Sequence, residues 1–397
     1  MKLGENTPSD KQKSDTSFPL ISVIQRQFAF DERMDVLLMY PSEVSENARL
    51  TPALGRSSDR RTVAVIIPFY QQASGILRRA MVSVLKQKLP RNLRVHVFII
   101  DDSSPLPPAQ DLRDLRQRSD VSWSVHHQAN GGPGAARNLG LDMAEETGAD
   151  FVAFLDSDDE WLPRHLAEAV WALDQGYGYY FCDNERSEAH DSYADTVPSL
   201  ACKGAKLRGK AQVLDPVGPV FGFDEGSLSA EMIEACLSHT SCVVLRGDVA
   251  SGHRFDKELR VAGEDHMYWI ALALGQCRIA ISWRPNVCCG RGVSIFYSSF
   301  DWNDLSTLNR LGHLLLMFEK LRLIPEAVAA GGHHIKTLRR NRRLGYSFLF
   351  IRNLAKGRRP NTDILFKIAR YDPMIFLRIP FFSVQAALDR RPESRKW

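Results

Sequence analysis

Phe151-Val152-Ala153-Phe154-Leu155-Asp156-Ser157-Asp158-Asp159-Glu160-Trp161 is the stretch that decides the fold. Five apolar residues run without interruption into three aspartates and a glutamate. A short continuous apolar run is what a strand buried on both faces requires. Side chains two apart in an extended segment point the same way, so Asp156 and Asp158 can converge on one hard cation. Mg²⁺ and Mn²⁺ take oxygen ligands and need few protein carboxylates where phosphates complete the shell. The competing reading is an acidic cap for a helix that Pro163 would open.

Upstream, the same alternation repeats. Residues 63–67 (VAVII) form an apolar run that stops at Pro68, and residues 76–89 carry helical spacing through Ile76, Leu77, Ala80, Val84 and Leu85. Residues 95–100 (VHVFII) read as a second strand ending in Asp101-Asp102-Ser103-Ser104, with a helix over 107–118. A strand at 123–127 and a helix at 134–146 lead into the strand at 151–155. Strand and helix alternating at short spacing predict right-handed βαβ units and a mostly parallel sheet flanked by helices, an α/β fold. Ligands in such sheets bind beyond the carboxyl ends of the strands. Pro68-Phe69-Tyr70, the Asp101–Ser104 cluster and the Asp156–Asp159 cluster all fall there.

A carboxylate at 101 or 102 can accept from a nucleobase N–H or a ribose hydroxyl, and the serines can close an Asx-type turn. Asn130-Gly131-Gly132-Pro133-Gly134-Ala135-Ala136-Arg137 is a glycine-rich turn into a helix, a place where backbone can approach a phosphate. It fails as a dinucleotide fingerprint, because Arg137 stands at the third glycine site and the loop follows the third strand. Arg137 is expected to face a phosphate or to order Asp158 through a fork-shaped ion pair. Glu264 and Asp265 open another amphipathic helix, where an acid is either a cap or a general base.

The composition is that of a globular chain. Its 397 residues are 44% hydrophobic and 25% charged, which excludes a disordered tail, a collagen-like repeat and a disulfide miniprotein. The seven cysteines include no C-x-x-C pair and read as buried thiols. The net charge is +4, yet residues 331–397 hold 16 Lys+Arg against 4 Asp+Glu, leaving the first 330 residues at −8. Residues 301–323 have the spacing of a helix, followed by the basic segments 336–343 and 356–359 interleaved with aromatics. Such a tail suits an anionic membrane surface, and no nucleic-acid recognition fold accompanies it.

The runs VAVIIPFY, VFIIDDSS, NGGPGAARNLG and FVAFLDSDDEW, then HTSCVVLR, HRFD and GED, resemble the family 2 glycosyltransferases of the GT-A fold over residues 62–295. The mixed, polar residues 1–60 read as an extension, the resemblance implies a 61–300 GT-A domain, and residues 301–397 read as a basic helical region. It implies an inverting, non-processive, metal-dependent transferase that moves a sugar from a nucleotide-diphosphate donor, a UDP-sugar first, to a sugar or lipid-linked acceptor. Pro68, Tyr70, Asp101, Asp102, Arg137 and Asp156 then match nucleotide contacts. Asp156 and Asp158 match the D-x-D motif that holds Mn²⁺ or Mg²⁺. Asp265, with Glu264 beside it, matches the catalytic base. Arg291 could serve the diphosphate where many members keep a histidine. Absence of a Q-x-x-R-W motif argues against a processive synthase. A nucleotidyltransferase-like enzyme would lack Glu264-Asp265, and an inactive sugar-nucleotide scaffold would have lost Asp156, Asp158 or Asp265. The expected location is cytoplasmic, at the inner face of a membrane.

Overall fold

The computed structural model describes residues 60–186, 192–197, 200, 207–275, 277–290, 302 and 304–389. Ten strands form one mixed sheet: β1 (Arg61–Phe69), β2 (Leu93–Asp101), β3 (Val121–His127), β4 (Phe151–Phe154), β5 (Glu160–Trp161), β6 (Tyr179–Arg186), β7 (Gln212–Asp215), β8 (Val220–Phe223), β9 (Val243–Arg246) and β10 (Ile279–Cys289). Their spatial order is β3-β2-β1-β4-β9-β6-β10-β8-β7, with β5 paired to β10.

The N-terminal half is parallel, β1 pairing with both β2 and β4, and β2 with β3. The chain reverses its direction of travel across the sheet between β1 and β4, the switch point where parallel sheets open a crevice. Val63 through Ile67 are all fully buried, which explains a strand apolar on both faces. Helix Pro133–Glu146 lies directly on β1: a Cβ at Gly140 would sit 2.4 Å from Ile66 Cγ2, so only glycine permits that approach. The second half is mixed, because β9 runs antiparallel to both β4 and β6.

Two expected helices are shorter than their spacing predicts. Helix Ile76–Leu85 stops before Pro90. The 107–118 helix contracts to Ala109–Leu112, because Pro107 and Pro108 precede it and Asp114 adopts φ 63 just beyond. The acidic-cap reading also fails. The helix after Pro163 is His165–Asp174, its N-cap is Arg164, and no side chain caps it.

The C-terminal helices Leu305–Leu321, Pro325–Ala355, Thr362–Tyr371 and Ile375–Leu388 belong to the same compact unit as the sheet, residues 52–397. Part of the basic charge expected to face outward is internal. Glu319 is fully buried and accepts from Arg322, Arg339 and Arg343, and Arg343 also reaches Asp372 at 2.7 Å. Among the described residues no helix is long and apolar enough to cross a membrane.

Candidate active site

Strand β4 ends at Phe154, and the chain turns at once into the acidic loop. Asp156 is anchored by its backbone N–H, which donates to Ser241 Oγ at 3.0 Å. Its carboxylate accepts from Arg137 Nη2 at 2.7 Å through Oδ1. Burial pushes Asp156 up, but the charges of Arg137 and His239 outweigh it and hold the group below the usual carboxylate range. Burial first, then the neighbouring Asp156 charge, raise Asp158; a backbone hydrogen bond and the charges of His239 and Arg79 pull the other way but do not prevail. Two adjacent carboxylates that repel one another, both presenting hard oxygens, fit a divalent cation such as Mg²⁺ or Mn²⁺.

Asp159 points inward. It is 2% exposed, accepts from Ser241 Oγ at 2.5 Å and from Gly290 N at 2.9 Å, and burial lifts it to about 7. His239 Nδ1 lies 3.5 Å from Asp159 and 3.7 Å from Cys289 Sγ. This cluster clamps the acidic loop to the end of β10. The strand can reach it because its register shifts around Pro285, a bulge that re-aims the last residues onto β5.

Arg137 occupies a different position from the one expected. It is 4% exposed, and its fork is committed to Asp156 on one side and to Glu264 on the other, at 3.2 Å. The ion pair with Asp158 is absent, and the guanidinium is buried. It joins residues 19 and 127 positions away in sequence. Glu264 opens helix Glu264–Leu274, whose N-cap Gly263 offers no side-chain cap. Burial, then the adjacent Asp265 charge, raise Glu264 to about 7 against the pull of Arg137. Asp265 accepts from the His266 N–H at 2.7 Å and is half-buried.

The residues expected to meet the nucleotide divide. Tyr70 leaves β1 with 40% of its surface exposed, and Pro68 is half-buried beneath it. Asp101 and Asp102 are each 4% exposed and spent within the protein. Asp101 closes the turn by accepting from Ser104 N at 2.8 Å and meets His127 Nδ1 at 2.9 Å. Asp102 accepts from Gly131 N at 2.7 Å, Gly132 N at 2.8 Å and Gln128 Nε2 at 2.7 Å. It is the anchor of the glycine-rich loop, where a ribose contact was expected. Arg291 lies outside the described residues.

The family model "Glycosyl transferase family 2" matches residues 64–228. The succinoglycan biosynthesis protein ExoW of Rhizobium meliloti is 34% identical over 252 residues, covering 59% of this chain and 71% of that one. This chain belongs to glycosyl transferase family 2. The glycosyltransferase is also 42% identical over 204 residues to the pre-mycofactocin glycosyltransferase of Mycobacterium tuberculosis, covering 44% of this chain and 38% of that protein. Among solved structures, Staphylococcus aureus TarS 1–349 in complex with UDP-GlcNAc superimposes with a TM-score of 0.51 at 18% identity, covering 82% and 89% of the two chains. That likeness establishes the GT-A fold.

Sequence reasoning undervalued His239 and Ser241 in this glycosyltransferase. Both sit on or beside the short 3-10 turn Thr240–Cys242 ahead of β9, far from the acidic loop in sequence. The only local signal was their place in the HTSCVVLR match.

Proposed function

We propose that this glycosyltransferase is an inverting, metal-dependent enzyme that moves a sugar from a UDP-sugar to an acceptor hydroxyl. The observation that carries the proposal is the Arg137 bridge, which ties the acidic loop to the start of the helix that carries Glu264 and Asp265. The UDP-GlcNAc bound by TarS makes a UDP-sugar the first donor to test.

Asp156 and Asp158 would hold the divalent ion, which supplies charge neutralisation for a departing diphosphate. Tyr70 offers its exposed ring to the nucleoside. Asp265 takes the proton of the acceptor hydroxyl as that oxygen bonds to the anomeric carbon from the face opposite the nucleotide. The anomeric carbon–oxygen bond to the diphosphate breaks in the same displacement, so the configuration inverts. Glu264 and Arg137 keep Asp265 in position without touching substrate. Asp265→Asn is expected to abolish transfer while leaving UDP binding intact. Normal transfer by that variant overturns the assignment of the base.

The membrane association is supported by the last helix more than by the basic segments. Leu377, Phe381, Val384 and Leu388 recur at helical spacing on Ile375–Leu388 and are 59–74% exposed, with Phe366 and Phe376 beside them. An apolar stripe near Lys367 and Arg378 suits an anionic bilayer surface, where a lipid-linked acceptor would lie. Phe381→Asp should release the protein from phosphatidylglycerol vesicles in co-sedimentation. Unchanged binding removes this part of the proposal.

A further inference from the structure

Asp265 has two flanks, and only one belongs to the donor. Successive residues on a helix are about 100° apart, so Glu264 and His266 point to nearly opposite sides. Glu264 turns to Arg137 and, through it, to the metal-loop acids. His266 turns the other way, its Nε2 2.6 Å from the Met232 carbonyl oxygen.

Two arginines from the C-terminal helices approach on that second flank. In helix Leu305–Leu321, Arg310 shares a face with Thr307, Leu314 and Met317. Leu314 and Met317 pack against Gly263, the residue that precedes Glu264. Arg310 therefore lies one turn along its own helix from the Leu314 that meets Gly263, and it feels the charges of both Arg342 and Asp265; burial brings it down to about 10. In helix Pro325–Ala355, Arg342 lies on the stripe Gly331, Ile335, Leu338, Tyr346 and Leu349, which is otherwise apolar and faces the core. Gly331 on that stripe meets Ile233, next to the Met232 that His266 contacts. His266 in turn feels both Arg342 and Asp265.

The charge of Arg342 is not matched among the described residues. Arg342 Nε is shielded from solvent and has no hydrogen-bond partner, and no carboxylate pairs with Arg342 among the described residues. Glu264 is committed to Arg137. A guanidinium cannot shed its proton as a buried lysine does, so an enclosed, unpaired one is costly unless an anion completes it. The basic residues nearby differ in this respect: Arg339 and Arg343 have Glu319.

We propose that Arg310 and Arg342 form an anion-recognition pocket on the acceptor side of Asp265, which takes a phosphate or carboxylate group carried by the acceptor. The proposal rests on Asp265 as the base, since that places the second flank where the acceptor approaches. A forked guanidinium engages either group through two parallel N–H···O bonds. The second arginine adds charge, which matters in a pocket that already holds the Asp265 carboxylate.

The test uses the full chain in EDTA with inorganic phosphate and, separately, acetate as probes, titrated by thermal shift against chloride at equal ionic strength. Phosphate or acetate should raise the melting temperature of the wild type. Arg342→Met and Arg310→Met should each weaken that affinity by about tenfold or more, while Asp158→Asn leaves it unchanged. Phosphate alone acting identifies a phosphorylated acceptor, and acetate acting as well identifies a carboxylate-bearing one. Arg342→Lys, which keeps the charge but loses the fork, should fall between, and it replaces Arg342→Met if circular dichroism shows that variant unfolded. Affinity unchanged in the arginine variants, or lost in Asp158→Asn and kept in Arg342→Met, overturns the pocket. The Asp265→Asn transfer assay stands apart. Transfer retained there defeats the base, whereas a dead Asp265→Asn with arginine-independent phosphate binding defeats only the pocket.

Discussion

Arg137 donates to Asp156 at 2.7 Å and, with its other terminal nitrogen, to Glu264 at 3.2 Å. One buried cation thus couples the strand end that carries the acidic loop to the helix that carries Asp265. Removing it should be costly twice. Arg137→Met leaves the buried Glu264 and the half-buried Asp156 without their partner, and breaking a buried pair costs about 3–5 kcal/mol. Urea unfolding should show that loss, and donor-dependent activity should fall with it even at temperatures where the variant is folded. A variant with wild-type stability and activity would show that the bridge is dispensable.

Gly290 sets the position of the acidic loop from the opposite side. A Cβ there would sit 1.9 Å from the Asp158 carbonyl oxygen, a backbone atom that cannot rotate away. Gly290→Ala should displace the loop, lowering stability by about 1–3 kcal/mol. It should also weaken the Mn²⁺-dependent part of nucleotide binding, read by calorimetry with and without EDTA. Equal metal dependence in the variant and the wild type would separate this glycine from the loop.

Asp158 and Asp156 should differ on substitution. Asp158→Asn removes a carboxylate that burial and Asp156 destabilise, so the fold should be as stable or more stable, while the metal-dependent shift with UDP disappears. Asp156→Asn removes half of an ion pair with Arg137 and should lose both stability and metal binding. Thermal melts of the two variants in EDTA distinguish the cases.

His165 supplies a pH dependence. The imidazole is fully buried, stacks near Trp161, and burial pushes it down to about 3. The unfolded chain takes up this proton near the ordinary value of about 6.5. Between those two values the unfolded state binds more protons than the folded one, so His165 costs stability as pH falls from about 6.5 toward 3. His165→Phe should lessen the acid-side loss of stability, seen as a smaller drop in urea midpoint between neutral pH and pH 5. An unchanged difference would mean that another group dominates the window.

Glu319 holds the C-terminal helices together. It is fully buried among Arg322, Arg339 and Arg343. Glu319→Gln should destabilise by about 3–5 kcal/mol, because three guanidinium groups lose their shared anion. Denaturation followed by both fluorescence and circular dichroism would show whether the helices then detach before the sheet melts.

The path from sequence to site was uneven for physical reasons. Strands β1, β2 and β4 were legible because a fully buried strand writes itself as an unbroken apolar run, and Asp156 and Asp158 were legible because they terminate one. The helix over 107–118 was overestimated, since periodicity does not register how tightly two prolines and a positive φ at Asp114 restrict it. Asp102 resembled a ligand contact by position, yet three N–H donors from the next loop reach it first.

The sequence by itself determined the alternation of strand and helix, the carboxylates at the strand ends and the family. Each of these is a local pattern, set by the period of a strand or helix and by the residues that follow it. Tertiary structure alone decided that Arg137 bridges Asp156 and Glu264, that His239 and Ser241 come to the acidic loop, and that Arg342 meets no acid among the described residues while Arg343 finds two. Partners so far apart in sequence meet only through sheet order and helix packing, and neither is encoded in the spacing of neighbouring residues.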